Sequence, residues 1–428
     1  MVYAIGFIVS RLQVFLLLPI LVVKLSPSDY GAYETLSSLL ILVNTLTVFN
    51  FDSGLSSLFQ QQKLPHEKQE LASTGFFFVL GWAILIGLVG YFYGAELGVF
   101  LLKDSSLNYK TLAQKSIFVG CIQGVSFYLN VCLRQKFQAI KYNILVTVQT
   151  LPTLLFIFFY SRFQMLSLQL IFNILIAVNF FALALAICLN LDLLKMRFIK
   201  HFLRSLLAVA LPLLPFSFFA WGISLFDRIV ISQLLGLDQV AIYSFANRIS
   251  TIGSALQGPF QIAWPPYALK KMSKGFEHKM FPKVLIYVLT AGGLFVVLMS
   301  FLSPYIYHLL APENYFPSAK FVGILSFCTL LNTLYYFPII TFLHHKKTWA
   351  STISFFIGAI INVELNLILI PKIGIAGSVY ANLAAYSGLL ISSFYMSQKM
   401  QRIQYPFHKV IGLLLGTLFL AFLPILLG

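Results

Sequence analysis

Residues 167–190 read SLQLIFNILIAVNFFALALAICLN, a stretch that contains no charged side chain. An α-helix rises about 1.5 Å per residue, so about twenty apolar residues cross the roughly 30 Å hydrocarbon core of a bilayer. Blocks of this kind recur along the chain, in which 59% of the 428 residues are hydrophobic and 10% are charged. Soluble domains carry about 25% charged residues. The composition therefore excludes a soluble enzyme or a secreted disulfide scaffold, and it predicts an all-α integral membrane protein.

The apolar blocks predict thirteen transmembrane helices. The connecting segments are short, as at residues 25–30 and 236–239, so consecutive helices run antiparallel and no soluble domain interrupts the bundle. We place the predicted spans at residues 2–23, 32–52, 71–94, 112–133, 143–160, 167–190, 205–235, 240–265, 283–303, 319–343, 349–371, 374–397 and 408–427.

The distribution of Lys and Arg predicts the orientation of the chain. Loops after even-numbered spans carry 19 of the 29 basic residues, loops after odd-numbered spans carry 7, and 3 lie within spans. Short loops rich in Lys and Arg stay in the cytoplasm. The count therefore predicts a multi-pass protein with a cytoplasmic amino terminus. The basic loops are expected to contact anionic lipid headgroups, with nucleic acid as a remote alternative.

A repeat with a fixed offset divides the chain into two related halves. The stretch LSPSDYGAY, from Leu25 to Tyr33, falls on LGLDQVAIY, from Leu235 to Tyr243, 210 residues further on. The repeat contains six spans, and an even number returns the chain to the same side, so the halves are parallel repeats related by an axis along the membrane normal. We predict an amino-terminal six-helix lobe at residues 1–190 and a cytoplasmic amphipathic linker at residues 191–204. A carboxy-terminal six-helix lobe follows at residues 205–398, and a basic loop with a thirteenth span at residues 399–428.

Cysteine and nucleotide motifs predict that no cofactor or metal is used. The four cysteines lie inside apolar blocks and form no Cys-x-x-Cys pair, so neither a disulfide framework nor a zinc site is expected. The chain has no Gly-x-x-x-x-Gly-Lys-Ser/Thr motif, which excludes ATP hydrolysis by a P-loop. An enzyme would need a catalytic constellation, yet no Asp-x-Asp pair is present, and His344 and His345 fall in a basic loop. We therefore expect a transporter driven by an ion gradient or by the gradient of its substrate.

Short motifs that are weak singly become specific in their order along the chain. They are Leu25–Tyr33 after the first span, Phe51-Asp-Ser-Gly-Leu55 at the end of the second, Phe226-Asp-Arg-Ile-Val230 and Gly236–Arg248 in the seventh and eighth, Trp264-Pro-Pro266, Asn362-Val-Glu-Leu-Asn366 with Leu369-Ile-Pro371, and Gly374-Ile-Ala-Gly377. With these motifs the first twelve spans resemble the multidrug/oligosaccharidyl-lipid/polysaccharide exporter superfamily, and within it the Wzx-type polysaccharide flippases. The thirteenth span is a departure, since members commonly have twelve or fourteen.

The resemblance implies a shape, a substrate and partners. It implies two six-helix lobes that form a V and work by alternating access in the bacterial cytoplasmic membrane. The implied substrate is an oligosaccharide linked to undecaprenyl pyrophosphate, moved to the outer leaflet for O-antigen (lipopolysaccharide) or capsule synthesis. Implied partners are membrane lipids and, as candidates, polysaccharide polymerase or assembly proteins. Two alternatives stay open: a cation-coupled drug or small-molecule antiporter of the same superfamily, and a membrane polymerase or acyltransferase.

Arg11 and Arg248 are the leading candidates for a substrate site. Arg11 is the tenth residue of the first predicted span and Arg248 the ninth of the eighth, so both lie near the membrane midplane. Neither has an acidic residue within one helical turn, and a charged residue inside a span is costly enough to indicate a function. Two guanidinium groups bind phosphate through paired hydrogen bonds, which predicts that they hold the pyrophosphate. The alternative is that each caps backbone carbonyls or pairs across helices.

Other ionisable residues within spans are candidates for coupling or for lining a cavity. Asp227 and Arg228 are adjacent, so on a helix they are expected to point about 100° apart and to need separate partners. The matching depths of Arg228 and Glu364 predict a salt bridge between the seventh and eleventh spans, with sugar contact or a coupling proton as the alternative. Glu34 and Asp52 lie near opposite ends of the second span, where we expect them to be close to water as anchors, with gating as the alternative.

Amide and aromatic side chains at membrane depth are candidates for a sugar path, because amides pair with hydroxyl groups and aromatic rings stack on pyranose rings. Interhelical hydrogen bonding is the alternative for each of them. Asn247 is a further cavity or coupling candidate next to Arg248. The others are Asn44, Asn130, Asn173, Asn179, Asn332, Asn362 and Asn366, with Tyr128, Trp221 and Tyr336 among them.

Overall fold

The fold was obtained as a computed structural model. It describes residues 2–103, 107–195, 197–273 and 280–427. Within those helices it describes the side chains except at residues 2–12, 107–108, 253–257, 259, 262, 273 and 427. The described chain is built of α-helices and short 3-10 helices and contains no β-strand. The predicted all-α membrane class is confirmed.

The chain divides into two compact units, residues 1–218 and residues 219–428. The helices that begin in the first unit are α1 Val2–Lys24, α2 Pro27–Val48, α3 Phe51–Leu58, α4 Pro65–Leu102, α5 Leu107–Gln135, α6 Ala139–Phe163, α7 Leu168–Leu189, α8 Lys200–Ala210 and α9 Leu214–Leu235, the last of which continues into the second unit. The remaining helices are α10 Leu237–Ser250, α11 Ser254–Ser273, α12 Met280–Leu310, α13 Val322–Leu334, α14 Pro338–His344, α15 Trp349–Ile373, α16 Ile375–Met400 and α17 Phe407–Leu427.

Local sequence explains where α2 begins and where it breaks. The Ser26 hydroxyl accepts a hydrogen bond from the Asp29 backbone N–H at 3.1 Å, and Pro27 occupies the first helical position, which needs no donor. At the other end Phe49 and Asn50 adopt left-handed φ values of 55° and 56°. The helix axis bends by 41° between α2 and the segment Phe51–Gln61. The second predicted span is therefore a broken helix.

The predicted spans coincide with helices or broken helices in the described residues. Within the described part of the chain, ten helical segments are long and apolar enough to cross a membrane, and the bent α2–α3 pair makes eleven. The eighth predicted span is interrupted by the 3-10 turn Thr251–Gly253 between α10 and α11. The thirteenth predicted span is present as α17, which packs against α12 and α13.

Hydrogen bonds from side-chain hydroxyls of α4 to backbone groups hold the segment before α8 against α4. The Ser73 hydroxyl donates to the Leu193 carbonyl and accepts from the Lys195 N–H, both at 2.8 Å. The Thr74 hydroxyl accepts from the Ile199 N–H at 3.1 Å. Helix α8 then packs on α3 and α4, so the predicted linker belongs to the first unit and the boundary between units falls inside α9.

The internal repeat is visible in the helix bounds. Helix α6 spans Ala139–Phe163, and the 210-residue offset carries these bounds onto those of α15, Trp349–Ile373. The same offset carries α4 approximately onto α12, and α7 approximately onto α16. The two units are therefore built on one helical plan.

Candidate functional site

A polar cavity lies inside the first unit at the depth of the membrane spans. Its volume is about 240 Å³, and five helices line it: α1, α2, α5, α6 and α7. The lining residues are mainly amides and hydroxyls: Gln13, Asn44, Gln123, Phe127, Asn130, Gln149, Thr150, Thr153, Leu175 and Asn179. These described lining residues are polar or apolar, and none of them carries a charge.

The amides in this cavity are only partly satisfied by the protein. The Asn130 amide group donates a long hydrogen bond, 3.4 Å, to the side-chain oxygen of Gln149 on α6. The Asn179 amide donates to the Leu175 carbonyl of its own helix at 2.7 Å. The Oδ1 of Asn130 and the Oγ1 of Thr153 are buried with no hydrogen-bond partner among the described residues. Buried polar atoms without partners are unfavourable, so a bound polar molecule would satisfy these two groups.

Sequence analysis predicted three of the cavity residues, Asn44, Asn130 and Asn179, and the structure brings them together. It missed the glutamines and threonines. The signal is present in the chain: Gln123, Phe127 and Asn130 lie on α5 at positions i, i+4 and i+7, which is one face of a helix. Gln149, Thr150 and Thr153 are grouped in the same way on α6.

Two other predicted members of the sugar path lie elsewhere in the first unit. The Asn173 side-chain oxygen accepts a hydrogen bond from Lys115 on α5 at 2.7 Å. The Tyr128 hydroxyl is fully buried and donates to the Ala72 carbonyl at 3.2 Å. For these two residues the alternative of hydrogen bonding between helices is what the structure shows.

A buried hydrogen-bond network in the second unit is centred on Asp227 of α9. The side chain of Asp227 is 1% exposed. Its Oδ2 accepts hydrogen bonds from the Tyr243 hydroxyl of α10 and, at 3.1 Å, from the Asn382 amide of α16. Its Oδ1 accepts from the Arg228 backbone N–H at 2.8 Å and from the Arg228 guanidinium at 3.3 Å. One carboxylate thus joins three helices.

The network corrects the expected partners of Arg228. We predicted that Asp227 and Arg228 would point apart and that Arg228 would bridge to Glu364. Instead the Arg228 guanidinium lies 3.3 Å from Asp227 and also donates to the Ser224 carbonyl at 3.3 Å. Glu364 is exposed on α15 and forms no ion pair within the described residues. The long Arg228 side chain folds back along α9, which an angular argument from Cα positions does not include.

Asn362 and Asn366 extend the same network along α15. The Asn362 amide donates to the Asn382 side-chain oxygen at 3.1 Å, and the Asn366 amide donates to the Asn362 side-chain oxygen at 3.0 Å. Both asparagines are fully buried. They therefore line no open cavity in this structure, and their role as coupling residues stays a prediction. Asn382 and Tyr243 were missed because the sequence gives no spacing that links them to Asp227.

The two predicted phosphate-binding arginines fall on α1 and α10. The side chain of Arg11 lies outside the described residues. Gln13, two positions further along α1, lines the amide-lined cavity. Arg248 is half-buried in the last turn of α10, directly before the 3-10 turn, and its carbonyl accepts a hydrogen bond from Thr251 at 2.9 Å. Asn247 beside it is also half-buried. The phosphate site stays a prediction.

Glu34 and Asp52 differ in their surroundings. Glu34 is buried, with 2% of its surface exposed, and accepts a 3.1 Å hydrogen bond from the Tyr30 hydroxyl one turn earlier on α2. The expectation that Glu34 lies close to water is therefore wrong. Asp52 is half-buried in the first turn of α3, directly after the bend. A gating role for either residue stays a prediction.

The polar groups of the two units are not related by the repeat. The 210-residue offset places Asn130, Gln149 and Asn179 on Ile340, Ala359 and Leu389, which are apolar. In the opposite direction it places Asp227 on Leu17 and Asn382 on Phe172. One helical plan thus carries an amide-lined cavity in the first unit and a buried ionic network in the second.

Comparison with known proteins places these features in a family. Residues 1–272, more than half of the chain, match the family described as polysaccharide biosynthesis protein. The chain belongs to this family. No curated protein sequence matches the chain.

Solved structures show the same fold at low sequence identity. A structure of the lipid II flippase MurJ in an inward closed conformation aligns with a TM-score of 0.74 at 15% identity, covering 98% of this chain and 91% of MurJ. An inward-facing multidrug resistance MATE family transporter of the MOP superfamily aligns with a TM-score of 0.66 at 14% identity, covering 92% and 96%. A mutant of the Vibrio cholerae MATE transporter VcmN gives 0.65 at 13% identity, covering 94% and 95%.

These findings confirm the resemblance to the Wzx-type branch of the multidrug/oligosaccharidyl-lipid/polysaccharide exporter superfamily. The protein is a multi-pass membrane protein of the polysaccharide biosynthesis family with the fold of MurJ and of MATE transporters. The comparisons therefore favour a transporter over a membrane polymerase or acyltransferase.

Proposed function

We propose that this protein is a flippase that moves an oligosaccharide linked to undecaprenyl pyrophosphate from the cytoplasmic to the outer leaflet of the bacterial cytoplasmic membrane. The observation that carries the proposal is the amide-lined cavity of the first unit, whose described lining residues are all neutral. Amides and hydroxyls both donate and accept hydrogen bonds, which matches the hydroxyl groups of a glycan. The family match supports a role in polysaccharide synthesis, and O-antigen or capsule is the product we propose.

Further elements of the proposed transport cycle are the pyrophosphate site, the orientation of the chain and its partners. Arg11 and Arg248 are proposed to bind the pyrophosphate through their guanidinium groups. The excess of Lys and Arg in alternate loops supports a cytoplasmic amino terminus. We propose membrane lipids and polysaccharide polymerase or assembly proteins as partners. Movement between inward- and outward-open states would supply alternating access.

The second candidate function is a cation-coupled drug antiporter. It is favoured by the structural similarity to MATE transporters and by the buried carboxylate of Asp227. A cation site needs carboxylate oxygens that are free to bind the ion. Both oxygens of Asp227 already accept hydrogen bonds from Arg228, Tyr243 and Asn382, so the carboxylate is occupied by protein groups. The flippase therefore explains the described side chains better.

Mass spectrometry of lipid-linked glycans tests the proposal directly. Cells that lack this chain should accumulate lipid-linked oligosaccharide on the inner leaflet, and the wild-type chain should clear it. The drug antiporter predicts the opposite pattern, in which glycan lipids are unchanged while the toxicity of cationic drugs rises. Unchanged glycan lipids in the deleted strain would refute the flippase.

A further inference from the structure

The amide-lined cavity of the first unit has no amide counterpart at three equivalent positions of the second unit. In the second unit the positions equivalent to Asn130, Gln149 and Asn179 carry apolar side chains on helices with the same plan. Polar groups in a membrane interior are costly unless they are paired, so they are retained where they have partners or a function. The first unit keeps six side-chain amides around one cavity. This contrast between the repeats indicates a ligand.

Two residues that line the cavity carry buried polar atoms without a hydrogen-bond partner among the described residues. Asn130 is 6% exposed and Thr153 is 2% exposed, and the Oδ1 and Oγ1 atoms of these side chains have no hydrogen-bond partner among the described residues. An oxygen of Asn130 accepts a hydrogen bond, and a Thr153 hydroxyl both donates and accepts. A ligand with several hydroxyl groups close together satisfies both. Phe127, on the same face of α5, adds an apolar ring against which the C–H groups of a sugar ring can pack.

The size of the cavity and the neutral side chains that line it indicate which ligands fit. Its volume of about 240 Å³ has room for roughly eight water molecules at about 30 Å³ each. That is the size class of a single pyranose ring. The described lining residues are all neutral, so they offer hydrogen bonds to hydroxyl groups but no counter-charge of their own to the carboxylate of a uronic acid.

We propose that this cavity is a subsite that holds one uncharged sugar residue of the substrate, a hexose or an N-acetylhexosamine, and discriminates against uronic acids. The proposal deepens the flippase function and rests on it for its biological meaning. The subsite itself is defined by side chains of the first unit alone, so binding of a free sugar tests it independently of transport.

Saturation-transfer NMR on the purified full chain in nanodiscs provides the binding test. The probes are the methyl glycosides of N-acetylglucosamine, galactose and glucuronic acid. We expect saturation of the two neutral probes and at least a five-fold weaker signal for glucuronide. Asn130→Leu and Thr153→Val should each weaken binding of the neutral probes by roughly three- to ten-fold, the range expected for one lost hydrogen bond. Gln114→Leu is the matched control, since Gln114 lies on α5 outside the cavity and donates to the Tyr91 carbonyl.

Thermal stability separates a binding role from a structural one. Thr153→Val removes a buried hydroxyl that has no partner among the described residues, so it should leave the unfolding temperature unchanged or raise it while sugar binding falls. Equal signals for the neutral and acidic probes, or unchanged binding in both cavity variants, would overturn the subsite.

Transport assays with reconstituted protein distinguish the two proposals. Polyprenyl pyrophosphates that carry one N-acetylglucosamine or one glucuronic acid serve as probes. If the wild-type chain moves neither lipid but binds the neutral glycosides as described, the flippase function fails and the subsite stands. If it moves both lipids equally and the cavity variants match the wild type, the subsite fails and the flippase function stands.

Discussion

The Asn382 amide on α16 donates a 3.1 Å hydrogen bond to the carboxylate of Asp227 on α9. The same amide lies 2.8 Å from the Tyr243 hydroxyl of α10, which itself donates to Asp227. These three side chains therefore fix three helices of the second unit to one buried charge. The Arg228 guanidinium compensates that charge. Loss of any member leaves a buried polar group without its partner, which makes the network sensitive to substitution.

The first prediction concerns stability. Asp227→Ala leaves the Arg228 charge buried without its carboxylate, and breaking a buried ion pair in this way costs about 3–5 kcal/mol. The unfolding temperature in detergent should fall sharply. Glu364→Ala is the control, because Glu364 is exposed and pairs with no described residue, and it should leave the unfolding temperature unchanged. An equal fall in both variants would restore the pairing of Arg228 with Glu364.

The positions of the helices could be predicted from the sequence because membrane spans are set by length and hydropathy, which are local properties. The α2–α3 break could not, since it depends on the left-handed conformations of Phe49 and Asn50. Side-chain partners were predicted less well. The predicted pairing of Arg228 with Glu364 was based on their equal depth in the membrane. It did not include the rotation of α15 about its axis, which buries Asn362 and Asn366 and leaves Glu364 exposed. The depth of a residue in the membrane can be predicted from its position along a helix, whereas the direction in which its side chain points cannot.

The second prediction concerns the pyrophosphate. Arg11→Ala and Arg248→Ala should each reduce glycan export by roughly ten-fold or more, with protein levels in the membrane near normal. Arg→Lys should rescue only in part, because a lysine supplies a point charge without the paired donors of a guanidinium group. The measurement is surface glycan per unit of membrane protein. Full export by both alanine variants would remove the phosphate site and leave the amide-lined cavity as the only substrate contact we propose.

The third prediction concerns orientation. In a Cys188→Ser background, which removes the exposed native thiol, Lys63→Cys lies in the loop after the second predicted span and Gln164→Cys in the loop after the fifth. Both positions are exposed. The Lys and Arg count predicts that the first is cytoplasmic and the second is outside. A membrane-impermeant maleimide on intact cells should therefore label Gln164→Cys only, and permeabilised cells should label both. The reverse pattern would invert the proposed direction of transport.

The last prediction concerns the hairpin of α15 and α16, which carries Asn362, Asn366 and Asn382. The turn is made at Gly374, whose φ of 64° is favoured by glycine. Three residues later Gly377 lies directly on the preceding helix: a Cβ there would be 2.5 Å from the Leu369 carbonyl carbon and 2.6 Å from the Ile370 nitrogen. These are backbone atoms that cannot rotate away.

Gly377→Ala must therefore push α16 away from α15, at a cost of about 1–3 kcal/mol. The shift would also stretch the Asn362–Asn382 hydrogen bond, so the unfolding temperature and glycan export should fall together. Gly222→Ala is the matched control within the second unit, since nothing lies within 4 Å of its Cβ position. That substitution should be neutral or stabilising by about 0.5–1 kcal/mol, because alanine is the better helix former. If Gly377→Ala were as well tolerated as Gly222→Ala, the close contact of α15 and α16 would not be what holds the asparagines in register with Asp227.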